Sequence, residues 1–360
     1  MTSRADALLA GPRGRRLCLQ IVVAGAGPWG WPPLTWRQGV SGYPVGRVEA
    51  LEVHASLAAQ VAATDLSSIG RADVLQALVT SVDGAMYWQP PDDADQLLAD
   101  PALAALLAPV AETVTAAPDT RWWADPLARS DQHAVAWPAG DPPRYTSPQT
   151  AGVHAALRDW RTDTGADERR AAADRPRDLD ALLSGRWWCT PATSAVVVTS
   201  RRIPGVADLD GQELPAPAGL VLVEDGWGWA TARSWPVPVP AGARVHEVTG
   251  PDDWAALVGR HPLPATASRR HDWYRTTGQD ADWILPDWSS MAEEFDAVHL
   301  TVDGYLSTVG RALPVPGTAA HTVLAGAAPD ATWWLTDLPE LREPTHWRRL
   351  DDDPPHWAPI

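Results

Sequence analysis

The hydrophobic pattern of this chain changes period once, near Gly185, and that change restricts the accessible folds more than any single motif does. From Arg47 to about Gly185, apolar residues recur three and four apart, as in "VEALEVHASLAAQVAAT" and "GRADVLQALVTSVDGAMYW", the spacing that lines one face of a helix. Asp73 stands near the start of the second, where a carboxylate meets the positive end of the helix dipole. "PPDDADQLLADPALAALLAPVAETVTAA" reads as two helices, with Asp100 as an N-cap before Pro101 in a first turn. "TAGVHAALRDWRTDTGADERRAAADRP" reads as a helix fading into a charged, solvated segment, Asp163 to Arg177, which serves as the candidate linker.

Past Gly185 the chain offers short β-branched or aromatic runs: "RWWCTP", "SAVVVTSRR", "AGLVLVED", "GWATARSWPVPV" and "ARVHEVTG". Gly, Pro and Asp separate them, as expected of strands. Val223 to Trp229, "VEDGWGW", reads as a hairpin turned on Asp225 and Gly226. Helices are expected at "DDWAALVGR" and "DWSSMAEEFD" on either side of an irregular tryptophan-rich part, followed by strands at "AVHLTV", "HTVLAG" and "TWWLTD". Strands grouped after helices predict an α+β protein, mainly helical in its N-terminal half and β-rich and Trp-rich in its C-terminal half, rather than a doubly wound sheet. The expected organisation is a helical region over 1–165, a linker or helix over 166–185, an α+β region carrying a ligand or partner surface over 186–348, and a frayed acidic tail over 349–360.

Composition removes several chemistries. The chain has no lysine and no asparagine, so all 29 basic residues are arginine. Lysine Schiff-base chemistry, a P-loop lysine and a protein-kinase strand lysine are therefore excluded. A single Phe beside 21 Trp means that large aromatic core volume must come from tryptophan. A formal charge of -16 and a pI near 4.9 argue against nucleic acid and anionic membrane surfaces, which need clustered positive charge. The two cysteines, Cys18 and Cys189, form no CxxC pair. A thiolate zinc site and a disulfide framework are not indicated, and a reducing cytoplasm is the expected compartment.

Before the helical region, "RRLCLQIVVAGAGPWGWPPLTW" places Gly25, Gly27 and Gly30 at the spacing of a dinucleotide fingerprint. Such a fingerprint must open a helix that receives the pyrophosphate. Trp31, Pro32 and Pro33 follow at once, and a proline pair removes donors from that helix. A dinucleotide-binding oxidoreductase through Gly25–Gly30 is therefore only a second alternative, and Glu49 or Glu52 would have to serve as its ribose ligand. Arg13, Arg15 and Arg16 before Leu17–Ala26 also resemble an export signal cleaved near Ala26, the alternative to a cytoplasmic location. The structural reading makes Leu17 to Val23 a helix or buried strand closed by a Gly/Pro-rich loop. "PRGRR" itself is an anion site or, more simply, a solvated basic loop.

No HExxH, GxSxG or GKS/T motif is present, and no metal or cofactor is implied. Asp208 and Asp210 mimic part of a calcium loop, but Val206 and Pro217 occupy its first and twelfth positions. Polar and aromatic groups concentrate in Ser268 to Tyr305. There Arg269, Arg270 and Arg275 are candidates to hold a carboxylate or phosphate, while Trp273, Trp283, Trp288 and Tyr305 offer ring faces. His299, on an expected strand, is the candidate general base, with Asp287 or Asp296 to orient it. Asp92, Asp93 and Asp95 near Trp88 read as a helix's first turn. The leading expectation is a binding protein whose Trp/Arg surface meets a protein partner or small anionic ligand. The alternative is an enzyme on a nucleotide- or sugar-like molecule, using His299, Asp287 and Arg275, which must then share one concave pocket.

Overall fold

Ser3 opens the first helix by a reciprocal cap: its hydroxyl accepts from the Asp6 N–H and the Asp6 carboxylate accepts from the Ser3 N–H, a pairing that satisfies two orphan donors. The computed structural model describes residues 3–24, 50–140, 144–203, 215–352 and 355–360. The glycines at 25, 27 and 30, and Asp208 with Asp210, lie outside them.

Helix α1 (Arg4–Ala10) stops at Gly11, and α2 (Pro12–Val23) restarts with proline in its first turn. A Cβ on Gly11 would meet the Leu306 carbonyl oxygen at 1.9 Å, so only glycine permits this approach. Leu17–Val23 is thus helical, burying Leu17, Cys18 and Ile21. Then follow α3 (Ala50–Ala63), α4 (Arg71–Asp83), α5 (Asp93–Leu98), α6 (Pro101–Leu106) and α7 (Ala108–Ala116). The stretch read as two helices is three, because Asp92 and Asp100 each cap one and Pro109 opens another.

The helix expected to fade at Asp163 instead continues as α8 (Val153–Asp174). Its charged face is real, but Trp160, Thr164 and Ala171 are buried on the other. Glu168 also accepts from the Ala267 and Ser268 N–H groups at 2.8 Å each.

An eight-stranded sheet organises the rest. Its strands are β1 (His133–Ala136), β2 (Val198–Ser200), β3 (Thr231–Pro236), β4 (Val245–Val248), β5 (Ala297–Leu300), β6 (Thr332–Trp334), β7 (Thr345–Asp352) and β8 (Pro355–Pro359). The spatial order is β8-β7-β3-β1-β2-β6-β5-β4. Neighbours run antiparallel except β5 and β4, which are parallel. That parallel pair requires a crossover, supplied by α10 (Pro251–Arg260), α11 (Thr266–Thr277) and α12 (Trp288–Glu294). The architecture is α+β, with helices mostly in the N-terminal half, although β1 sits mid-sheet.

Three local expectations are corrected. "AGLVLVED" contains a short helix, α9 (Ala218–Val221), rather than a strand. "RWWCTP" forms no strand, although the Cys189 N–H still donates to the Ala325 carbonyl at 3.0 Å. "DDDPPHWAPI" is not frayed: it completes β7 and forms β8, with Trp357 buried, because apolar rings beside Pro355 outweigh the acidic run.

One hydrophobic cluster runs from Ala5 to Trp357 and joins the helices to one sheet face. A smaller cluster, with Ala134, Val197, Ala297 and Trp334, covers the other. Trp254, Trp273, Trp283, Trp288 and Trp334 are fully buried, so tryptophan supplies the large aromatic volume. Among the described residues no helix is long and apolar enough to cross a membrane.

Candidate functional site

Strand register sets the floor of a cavity of about 1150 Å³. His133 pairs with Ser200, and Trp333 pairs with Val198. Side chains alternate between faces along each strand, so His133, Val135, Val198, Ser200 and Trp333 all present one face, and all line the cavity. A wall is formed by Leu222 to Trp227, which follows α9, and facing groups include Met86, Trp88, Trp137 and Trp187.

Indole packing fixes part of that wall. Trp137 stacks on Trp229 at 4.6 Å and leans on Trp357 at 5.5 Å. Trp187 meets Trp188 edge-on at 5.8 Å. Four large apolar side chains are exposed around the opening: Met86, Trp88, Val198 and, at 81% exposure, Trp227. Leaving such surface wet is unfavourable.

The polar groups carry one sign. Asp83, Glu224 and Asp225 line the cavity, whereas no arginine among the described residues does. Glu224 Oε1 accepts from the Tyr305 hydroxyl, in α13 (Val302–Thr308), at 2.9 Å, and its Oε2 accepts from the Ala327 N–H at 3.0 Å. The residue is only half-buried, yet the packing around its carboxyl pushes the pKa up to about 8, with the neighbouring Asp225 adding to the shift. Burial also raises Asp225, against hydrogen bonds from the Met86 N–H and the Trp88 side chain, and Asp83 raises it further.

Asp225 occupies the left-handed region at φ 53°, as expected of the turn read at Asp225 and Gly226. No strands flank it, so it is a loop rather than a hairpin. Asp83 Oδ1 accepts from the Gly226 N–H at 2.6 Å, and a Cβ on Gly226 would lie 2.8 Å from that oxygen. Glycine therefore permits this approach. His133 is held by Asp131 at 3.0 Å, and burial lowers its pKa.

The residues singled out in the sequence lie elsewhere, with one exception. His299 is fully buried on the opposite sheet face, with Nδ1 2.8 Å from Thr332 Oγ1. Its Nε2 is 3.8 Å from Asp330 and 3.9 Å from Glu247. Burial and then Arg201 lower its pKa to about 3, which leaves it a neutral sheet residue. Asp287 caps α12 through the Ser290 N–H and pairs with Arg161 at 2.9 Å. Asp296 pairs with Arg244, and Arg275 with Asp272 at 2.6 Å. His299, Asp287 and Arg275 therefore belong to three separate networks rather than one pocket.

The Trp/Arg cluster is mostly interior, because the segment read as irregular is helix α11. Trp273, Trp283 and Trp288 are at most 1% exposed. The Trp273 and Trp288 indoles donate to the Trp187 and Cys189 carbonyls at 2.8 Å each. Arg269 is buried 3.6 Å from Asp167, and burial lowers its pKa to about 10. Arg270 is partly buried on the same helix. Tyr305 is the exception, since it reaches Glu224 from behind the cavity.

Asp92 and Asp95 pair with Arg16 and Arg13. No group of three His, Cys, Asp or Glu among the described residues could hold a metal ion. The chain matches no protein-family model, and comparison with curated proteins and with solved structures gives no significant match.

Proposed function

We propose that the protein binds a small organic cation in the cavity over the sheet, with an ammonium group against Glu224 and Asp225 and a flat or aliphatic body against the tryptophans. The observation that carries this reading is charge balance. Asp83, Glu224 and Asp225 form no ion pair among the described residues. Two of them have raised pKa values, because burial and the neighbouring carboxylates outweigh the hydrogen bonds and the more distant charge of Arg13 that oppose the shift. Indole faces are the best aromatic partners for a desolvated ammonium, and Trp88 and Trp227 are exposed at the opening. A dominantly apolar cavity with a few convergent polar groups is the usual form of a ligand site.

The binding function expected from the sequence is thus retained, but its surface and the sign of its ligand differ. A cavity lined by carboxylates, and by no arginine among the described residues, repels the small anion expected at Arg269, Arg270 and Arg275.

Calorimetric titration with tryptamine and choline, beside glucose and AMP, tests the proposal. Binding of an ammonium compound should strengthen from pH 6 to pH 9, as Glu224 gives up its proton, and should weaken at least tenfold in Asp225→Asn. If AMP binds this cavity, or if neither ammonium compound binds, the proposal fails.

A further inference from the structure

A second cavity, of about 500 Å³, lies across the loop that follows α4. Ala85, Tyr87 and Gln89 line it, whereas Met86 and Trp88 of the same loop line the acidic cavity. Here the free charge is positive. Arg15 and Arg311 both line it, and neither forms an ion pair among the described residues. The one carboxylate in the lining among the described residues, Asp95, is committed to Arg13 and Arg16.

From these groups we infer that this cavity binds a small oxyanion, or the phosphate or carboxylate head of a larger molecule, between Arg15 and Arg311. The two guanidiniums are poorly served as they stand. Arg15 Nη1 makes only long contacts to the Leu9 and Ala10 carbonyls, at 3.3 and 3.4 Å, and Arg311 Nη1 donates to the Ser307 carbonyl at 2.6 Å.

Other polar atoms of the lining wait on the same side of the balance. The Tyr87 hydroxyl is buried without a partner among the described residues, in a residue 3% exposed, and so are Arg15 Nε and His321 Nδ1. Buried polar atoms ordinarily find partners, and an oxyanion is an acceptor that both guanidinium forks and the hydroxyl can share. Electrostatics agrees with geometry. Burial lowers the pKa of Arg15, and the like charge of Arg311 lowers it further against the opposing Asp95. Burial also lowers Arg311, with Asp252 opposing. The inference does not rest on the acidic cavity, since none of these groups lines it.

Thermal unfolding in inorganic phosphate, sulfate and acetate, each against chloride at equal ionic strength, tests it. An oxyanion at about 100 times its dissociation constant should raise Tm by about 3 °C, and the arm that responds distinguishes phosphate-like from carboxylate ligands. The shift should vanish in Arg311→Gln, which should itself melt higher than the parent in chloride because a like-charge repulsion is gone. It should vanish also in Gln279→Glu, an exposed change at the cavity rim that sets a negative charge against the anion without touching the core. No oxyanion shift beyond that of chloride, or a shift that survives in Gln279→Glu, overturns the inference.

Discussion

The two cavities meet at the loop Ala85–Gln89, which gives Met86 and Trp88 to one and Tyr87 to the other, yet they solve opposite electrostatic problems. On one side, carboxyls form no ion pair among the described residues, and desolvation outweighs the opposing charge of Arg13 and moves Glu224 into the neutral pH range. On the other, Arg15 and Arg311 form no ion pair among the described residues. Arginine cannot shed its charge in the same range, so that side answers burial by leaving donors unpaired. One chamber therefore adjusts its charge and the other cannot. Between them Arg13, paired with Asp95 and donating to the Ser81 and Gly84 carbonyls while its Nε has no partner among the described residues, keeps the dividing wall neutral. Burial opposes its charge, but Tyr87, Asp95 and Tyr305 together hold its pKa above the usual value.

The largest effect should come from breaking that wall. Asp95→Ala strands a buried guanidinium and should cost about 3–5 kcal/mol of stability by urea unfolding. A loss under about 1 kcal/mol would mean that Arg13 reaches water in the parent.

Glu224→Gln sharpens the contrast through pH. A carboxyl whose folded pKa is raised from 4.5 to about 8 binds its proton more tightly in the folded state. Its contribution is therefore full below about pH 4.5 and is lost as pH rises through 8. The glutamine variant should match the parent at pH 4 and exceed it at pH 9 by about 2 kcal/mol, less than the roughly 5 kcal/mol of the whole shift because the half-buried carboxyl is partly screened by water. Equal pH profiles for the two proteins would remove Glu224 from the account. Arg311→Gln, by contrast, should shift stability by the same amount at both pH values.

Trp227→Ala should reduce affinity for tryptamine about tenfold, a cation–π contribution of the usual size, while changing stability by less than about 0.5 kcal/mol, since its ring is mostly in water. An unchanged affinity would place the ligand away from the opening. Met86→Gly should have the smallest effect, a gain of under about 1 kcal/mol from releasing a non-glycine residue held at φ 44°; a loss would show that its side chain contributes more by packing than its backbone costs.

The fold was legible where one signal dominated. The helices α3, α4, α10 and α12 follow from apolar spacing, and β3, β5 and β6 from branched or aromatic runs. Errors arose where two signals competed. Charge hid the buried face of α8, and acidic residues hid the pairing of β7 with β8.

The candidate site was much less visible. Its polar and aromatic members come from positions 83–88, 133–137, 187–200, 222–227 and 326–333, and no spacing rule links them. "VEDGWGW" announced a turn, and Asp225 does hold a left-handed backbone, but nothing local distinguishes Glu224, whose raised pKa is imposed by tertiary burial against the hydrogen bonds from Tyr305 and the Ala327 N–H. Arg275 and Trp273 drew notice by type, whereas burial and pairing, which decide their roles, are tertiary properties.

Met86 carries one more consequence. Because it stands in a rarely populated backbone region within the partition that both chambers lean on, an occupant that fixes this partition from one side spares the second occupant part of the ordering entropy. By reciprocity, phosphate would then tighten tryptamine binding by the same factor as tryptamine tightens phosphate binding.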